Sequence, residues 1–81
     1  MNATLADFRL GESNIFLMIF DKGFISQEDE GKIGFYLFNQ RTETEFDISE
    51  QMAEALWYEC TNEGGVFSDY LAKLKTHQVS Y

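Results

Sequence analysis

Few residues of this chain could carry out chemistry. General acid–base or nucleophilic catalysis needs side chains held within hydrogen-bond reach of one another. The chain has one cysteine, Cys60, in an apolar helical stripe and one histidine, His77, near its end. Two such residues also supply too few ligands for a structural zinc site. We therefore expect a non-enzymatic protein with no catalytic residue, no metal site and no cofactor.

Carboxylates are the other groups that could do chemistry, and their spacing indicates solvated surfaces. Glu43, Glu45 and Asp47 occupy alternate positions of a predicted strand, so they share one face. Further glutamates follow one another along a predicted helix: Glu50, Glu54, Glu59 and Glu63. Neither set predicts a paired catalytic acid and base.

The acidic segment 26–31 has some likeness to a calcium-binding loop. Placing Gly31 at the invariant glycine of such a loop puts Leu37 where a bidentate glutamate is required. The segment is better explained as the solvated tip of a hairpin.

Composition and charge narrow the class of protein. Its 81 residues predict one domain, and Lys plus Arg number 6 against 14 for Asp plus Glu, a net charge of −8. This charge repels phosphates, so we expect no direct contact with nucleic acid and a basic protein as the partner. Since there is no apolar run of about 18 residues and no signal-peptide pattern, we expect no membrane contact. A lone cysteine fits a reducing compartment, so we expect a cytoplasmic protein.

The first half of the chain has the alternation and short apolar runs of strands. The predicted strands are an edge strand within 1–10, then 15–20, 32–39 and 43–48. The short connections between the last three predict antiparallel neighbours. Since 1–10 also permits a helical turn, the sheet has three or four strands.

The second half changes to the period of helices. Stripes at i, i+1, i+4, i+5 and i+8 predict helices over 50–62 and 66–76, with Asp47 or Ser49 as the first N-cap and the glycines of 62–65 as its end. The stripes are Met52, Ala53, Leu56, Trp57 and Cys60, then Val66, Phe67, Tyr70, Leu71 and Leu74. The predicted fold class is α+β: an antiparallel three- to four-stranded sheet followed by two helices packed on one face.

The two central strands have two different faces. One is mainly aliphatic: Ile15, Leu17, Ile19, Ile33, Phe35 and Leu37. The other is mainly aromatic: Phe16, Met18, Phe20, Tyr36 and Phe38. Two helices can cover only one face, and their stripes complement the aliphatic one. The aromatic face is then either an exposed binding surface or is covered by the N-terminal segment or the 24–31 loop.

The order of these elements and several local strings resemble a small phage-encoded anti-CRISPR family of four antiparallel strands followed by two helices. The strings are Asn14 to Gly23, Lys32 to Asn39, and Glu45 to Met52 with an aromatic pair on the following helix. The resemblance implies binding to the backbone subunits of the type I-F Cascade surveillance complex, which stops the complex from hybridising target DNA. Phe20 stands where the family has a contacting aromatic residue at the end of the second strand. Phe38 stands where the family has a contacting glutamate.

These features favour a small acidic protein inhibitor of a basic nucleic-acid-binding protein, with Cascade backbone subunits as the implied target. The predicted contact residues are Phe16, Met18, Phe20, Tyr36 and Phe38 on the sheet, and Glu28, Asp29 and Glu30 on the acidic tip. Two alternatives stay open. One is a mimic of double-stranded DNA that uses Glu28, Asp29, Glu30, Glu43, Glu45 and Asp47. The other is a homodimeric adaptor domain that buries its aromatic face against a second copy.

Overall fold

The computed structural model describes residues 3–61 and 65–79, without the side chains of 77–79. In chain order the elements are β1 (Thr4–Arg9), β2 (Ile15–Asp21), β3 (Ile33–Asn39), β4 (Thr44–Asp47), α1 (Glu50–Cys60) and α2 (Phe67–Val79). The strands form one antiparallel sheet in the order β1-β2-β3-β4. The predicted α+β class is confirmed, with four strands in the sheet.

The segment that could have been strand or helix is the edge strand β1. Its pairing with β2 shifts register between Thr4 and Ala6, which is the mark of a β-bulge. As a result the neighbouring residues Leu5 and Ala6 both pack against the hydrophobic core. The bulge lets a short edge strand contribute two consecutive side chains to that core.

The acidic tip is built from two short 3-10 turns, Lys22–Phe24 and Gln27–Asp29. The Asp21 carboxylate accepts a hydrogen bond from the Gly23 N–H at 2.9 Å, which caps the first turn. At the base of the loop the Lys22 N–H donates to the Lys32 carbonyl at 3.0 Å. The connection between β2 and β3 is therefore an extension of the hairpin held by its own backbone hydrogen bonds.

The ends of the helices differ from the predicted ends. Ser49 is the N-cap of α1 and accepts from the Met52 N–H at 3.2 Å, whereas Asp47 belongs to β4. The helix ends at Cys60, because Thr61 is extended and its N–H and hydroxyl both donate to the Trp57 carbonyl at 3.0 Å. The predicted glycine end includes residues 62–64, which lie outside the described residues. The second helix begins at Phe67 and continues past residue 76 to Val79.

Both helices pack on the aliphatic face of the sheet, as predicted. The buried core consists of Leu17, Ile19, Phe35, Ala53, Trp57, Phe67 and Leu71. The Trp57 ring lies at its centre, with ring centroids 5.2 Å from those of both Phe67 and Tyr70. The Tyr58 hydroxyl accepts from the Phe67 N–H and donates to the Gly65 carbonyl, both at 3.2 Å, and so holds the start of α2 against α1.

Three residues depart from their predicted places. Met52 and Val66, predicted in the apolar stripes, are 52% and 53% exposed. Successive helix residues are about 100° apart, so Met52 is turned away from the sheet that buries Ala53. Glu43 has a φ of 58° and lies in the turn before β4, so it does not share the strand face of Glu45.

Among residues 3–61 and 65–79, no helix is long and apolar enough to cross a membrane.

The packing of α2 on the sheet predicts a large effect of truncating Leu71, which is 8% exposed. Leu71→Ala should lower the free energy of unfolding by about 2–5 kcal/mol, because the change removes buried apolar atoms and leaves a cavity. Met52→Ala is the matched control from a predicted stripe, and it should change stability by less than about 0.5 kcal/mol. Urea unfolding followed by circular dichroism measures both. A loss below about 1 kcal/mol for Leu71→Ala would contradict the observed packing.

Candidate protein-binding face

The sheet face that points away from the helices carries the predicted aromatic residues. Residues directly opposite each other in an antiparallel sheet share a face. Two complete rows of such residues cross this face: Asp7, Met18, Tyr36 and Asp47, then Arg9, Phe16, Phe38 and Glu45. Phe20 and Gly34 continue it on the two central strands. We call the surface formed by Phe16, Met18, Phe20, Tyr36 and Phe38 the open face.

Gly34 lets an aromatic ring lie directly on the backbone of β3. A Cβ atom at Gly34 would overlap ring atoms Cζ and Cε1 of Phe20 and would stand 3.0 Å from Cε of Lys22. The Phe20 ring also meets Tyr36 edge-on, with centroids 5.4 Å apart and planes at 63°. Phe20 therefore fills the space that a side chain at position 34 would take, and this packing fixes its ring beside Tyr36.

Among residues 3–61 and 65–79, neither of the two predicted covers lies on the open face. The N-terminal segment pairs at the sheet edge as β1. The apolar residues of the β2–β3 loop, Phe24 and Ile25, are 41% and 76% exposed, so the loop does not bury them. Every residue of the open face is half-buried. Within the described residues the face is accessible to a partner.

Charged residues border the open face on both edge strands. Asp7 and Arg9 lie on β1, and Glu45 and Asp47 lie on β4. Both charges at the β4 border are negative, whereas the β1 border carries one charge of each sign. The acidic side of this surface is therefore its β4 side.

The structure places the predicted contact residues in two locations. The aromatic residues and Met18 share the open face, whereas Glu28, Asp29 and Glu30 lie in or next to the second 3-10 turn of the β2–β3 loop. The Asp29 carboxylate is 3.5 Å from the Lys32 ammonium, so part of its charge is already compensated. The contact set predicted for the inhibitor did not include Glu45 and Asp47, which the sequence assigned only to the alternative of a DNA mimic. Their alternation with Phe46 was the available signal, but it shows a border position only once β3 and β4 are paired.

Burial changes the acid–base properties of two groups. Burial raises the pKa of the Tyr36 hydroxyl, and the nearby Glu45 carboxylate raises it further. Burial also raises the pKa of the Cys60 thiol, with a smaller effect from Glu59. Since the thiolate is the reactive form, Cys60 is a weaker nucleophile than an exposed cysteine. Of the side chains that the structure describes, no group of three or more His, Cys, Asp and Glu could hold a metal ion.

Comparison with protein-family models, with curated proteins and with solved structures gives no match.

The position of Glu45 predicts an effect on the titration of Tyr36. Glu45→Gln should lower the pKa of Tyr36 but leave it above the ordinary value of 10.0, because burial is the larger cause of the shift. A pH titration of protein labelled with ¹³C at tyrosine Cζ measures this pKa by NMR. The corresponding contribution to stability is present below pH 10.0 and is lost as the pH rises through the raised pKa.

Glu28→Gln, which neutralises a carboxylate of the loop, is the control for that titration and should leave the pKa of Tyr36 unchanged. An unchanged pKa in Glu45→Gln itself would show that the Glu45 carboxylate does not face the Tyr36 ring.

Proposed function

We propose that this protein is a non-enzymatic inhibitor that binds a basic, nucleic-acid-binding protein through the open face. One observation carries the proposal: both helices lie on the opposite face, so the aromatic strip of β2 and β3 has no covering element among the described residues. Tyr, Phe and Met are the residues enriched at the centres of protein interfaces. A solvent-accessible strip of these residues is typical of a surface that a partner buries.

The size of the strip indicates which part of a protein interface it would form. From strand spacing and rise, the strip is about 10 Å wide and about 14 Å long. A specific interface buries about 800 Å² on each partner, so the strip forms the centre and the bordering residues form the rest. Central aromatic residues then supply most of the affinity, and border charges mainly set the association rate.

Charge favours a basic partner. The net charge of −8 attracts a positively charged surface over long range, and Glu45 and Asp47 present two carboxylates beside the strip. Nucleic-acid-binding proteins carry such surfaces because they neutralise phosphates. A protein bound there blocks the nucleic acid by occupancy, with no covalent step.

The first target to test is the type I-F Cascade surveillance complex. The chain resembles the anti-CRISPR family that binds the backbone subunits of this complex, and Phe20 stands where that family has a contacting aromatic residue. The proposed outcome is the same as in that family, a complex that no longer hybridises target DNA.

The open-face proposal predicts that two aromatic truncations weaken target binding. Phe20→Ala and Tyr36→Ala should each raise the Kd for purified type I-F Cascade at least about tenfold, since truncating a central aromatic anchor commonly costs about 2 kcal/mol or more. Met52→Ala, an exposed apolar residue on the helix side, is the control and should bind like the parent. Biolayer interferometry measures binding, and thermal unfolding verifies that each variant is folded.

A salt series and one charge reversal separate the alternatives. The affinity for the target should fall modestly between low and high ionic strength if the apolar strip makes the contact. It should fall steeply if carboxylates that mimic DNA make the contact. Unchanged binding by both aromatic variants, together with loss of binding in Glu28→Lys, would assign the contact to the acidic loop instead. A stable dimer in sedimentation equilibrium that Tyr36→Ala dissociates would favour the homodimeric adaptor.

A further inference from the structure

The outer edge of β4 is a free sheet edge. β4 is the last strand of the sheet, so only β3 pairs with it. The Ile48 N–H donates to the Phe35 carbonyl at 3.2 Å, and hydrogen-bonded residues alternate along an antiparallel pair. Phe46 therefore directs its N–H and carbonyl towards β3, whereas Glu45 and Asp47 direct theirs outward. The described residues give these outward groups no partner.

The side chains along this edge differ between its two sides. Glu45 and Asp47 point to the side of the open face, whereas Phe46 points to the helix side, where it stands opposite Leu37. The Phe46 side chain is 72% exposed although it lies on the face that forms the core. The edge thus offers a row of backbone donors and acceptors with an apolar ring on one side and two carboxylates on the other.

The other edge of the sheet is less suited to pairing. β1 contains the bulge between Thr4 and Ala6, which interrupts the row of outward backbone groups. Its apolar side chains Leu5, Ala6 and Phe8 already pack against the core. All residues of β4, in contrast, are exposed. Only at β4 would an added strand meet both an uninterrupted row of backbone donors and acceptors and an exposed apolar side chain.

A second copy of this chain is a poor occupant of the β4 edge. An antiparallel pairing of two β4 strands centred on Phe46 would bring Glu45 of each copy opposite Asp47 of the other. Like charges directly opposite in a sheet are destabilising, and charged side chains on an edge are a common protection against self-pairing. The carboxylates that disfavour a second copy favour a basic strand.

We infer that the β4 edge binds an extended segment of another protein in which side chains alternate basic, apolar, basic. Such a segment adds an antiparallel strand to the sheet, and its residues opposite Glu45 and Asp47 exchange backbone hydrogen bonds with them. Its residues opposite these two lie on their side of the sheet, so basic side chains there meet the carboxylates. The residue between them lies beside Phe46 and is apolar. This site differs from the open face in using the strand edge and the helix-side ring, and the Glu45 and Asp47 carboxylates border both surfaces.

A capped seven-residue peptide that alternates lysine and valine is the probe. Titration into ¹⁵N-labelled protein should shift the amide resonances of Glu45 and Asp47 most and should protect these two amides from hydrogen exchange. Two N-methylated peptides form the matched controls. Methylation of the lysine amides, which face β4 in the proposed pairing, should weaken binding at least about tenfold. Methylation of the valine amides, which face away, should change it little.

Substitutions in the protein test the two sides of the edge separately. Phe46→Thr removes the exposed ring but keeps a residue suited to strands, and it should weaken peptide binding several-fold. Ile25→Thr removes a side chain of similar exposure from the β2–β3 loop and should have no effect. Glu45→Pro removes one outward N–H that β3 does not use, and it should weaken binding more than Glu45→Gln, which removes only the charge.

Three outcomes would overturn the inference. One is equal binding by the two N-methylated peptides. The second is equal binding by a peptide with glutamate in place of each lysine. The third is a shift pattern centred on Phe20 and Tyr36 with no protection at β4. The last result would assign basic peptides to the open face and leave the proposed function standing.

Discussion

The structure depends on the burial of one indole ring between the two helices and the sheet. Trp57 is 2% exposed, and its ring contacts the aromatic side chains of Tyr58, Phe67 and Tyr70. Its indole N–H has no hydrogen-bond partner among the described residues, which costs about 1–3 kcal/mol. Each aromatic pair contributes about 0.5–1.5 kcal/mol beyond the area it buries, so the cluster offsets that cost. A small domain has few such clusters, and this one holds the two helices together over the core.

The asymmetry of the sheet follows from this constraint. α1 begins shortly after β4, and the Tyr58 hydroxyl holds the start of α2 close to α1. Both helices therefore stay on the aliphatic face of the sheet, which α1 covers with Trp57. The opposite face must be stable without a covering layer. It achieves this through contacts between its own side chains, of which the Phe20 ring over Gly34 and against Tyr36 is the clearest. Half-burial of the open face is therefore compatible with a stable free protein and with a surface that a partner can bury further.

The sequence predicted which aromatic side chains share one sheet face, and the strand register confirms that shared face, but the predicted contact set did not include the carboxylates at its border. Alternation along β2 and β3 placed Phe16, Met18, Phe20, Tyr36 and Phe38 on one face, because the side-chain period of a strand is a local property. The carboxylates beside this face depend on how β3 aligns with β4. A shift of one residue would have turned Phe46 to that border and Glu45 away from it. The outward backbone groups of β4 depend on the same register, so no local pattern could indicate them.

The sequence by itself determined the class of fold, the two central strands and the apolar faces, since each follows from the spacing of side chains within one segment. Only the tertiary structure decided the properties that arise between segments. The bulge at β1 brings Leu5 and Ala6 to the core together, and Met52 stays exposed beside a buried Ala53. Each depends on contacts between residues that are distant in the chain or on the width of the surface that a helix meets. Periodicity shows which side of an element is apolar, but the packing partner decides how much of that side is buried.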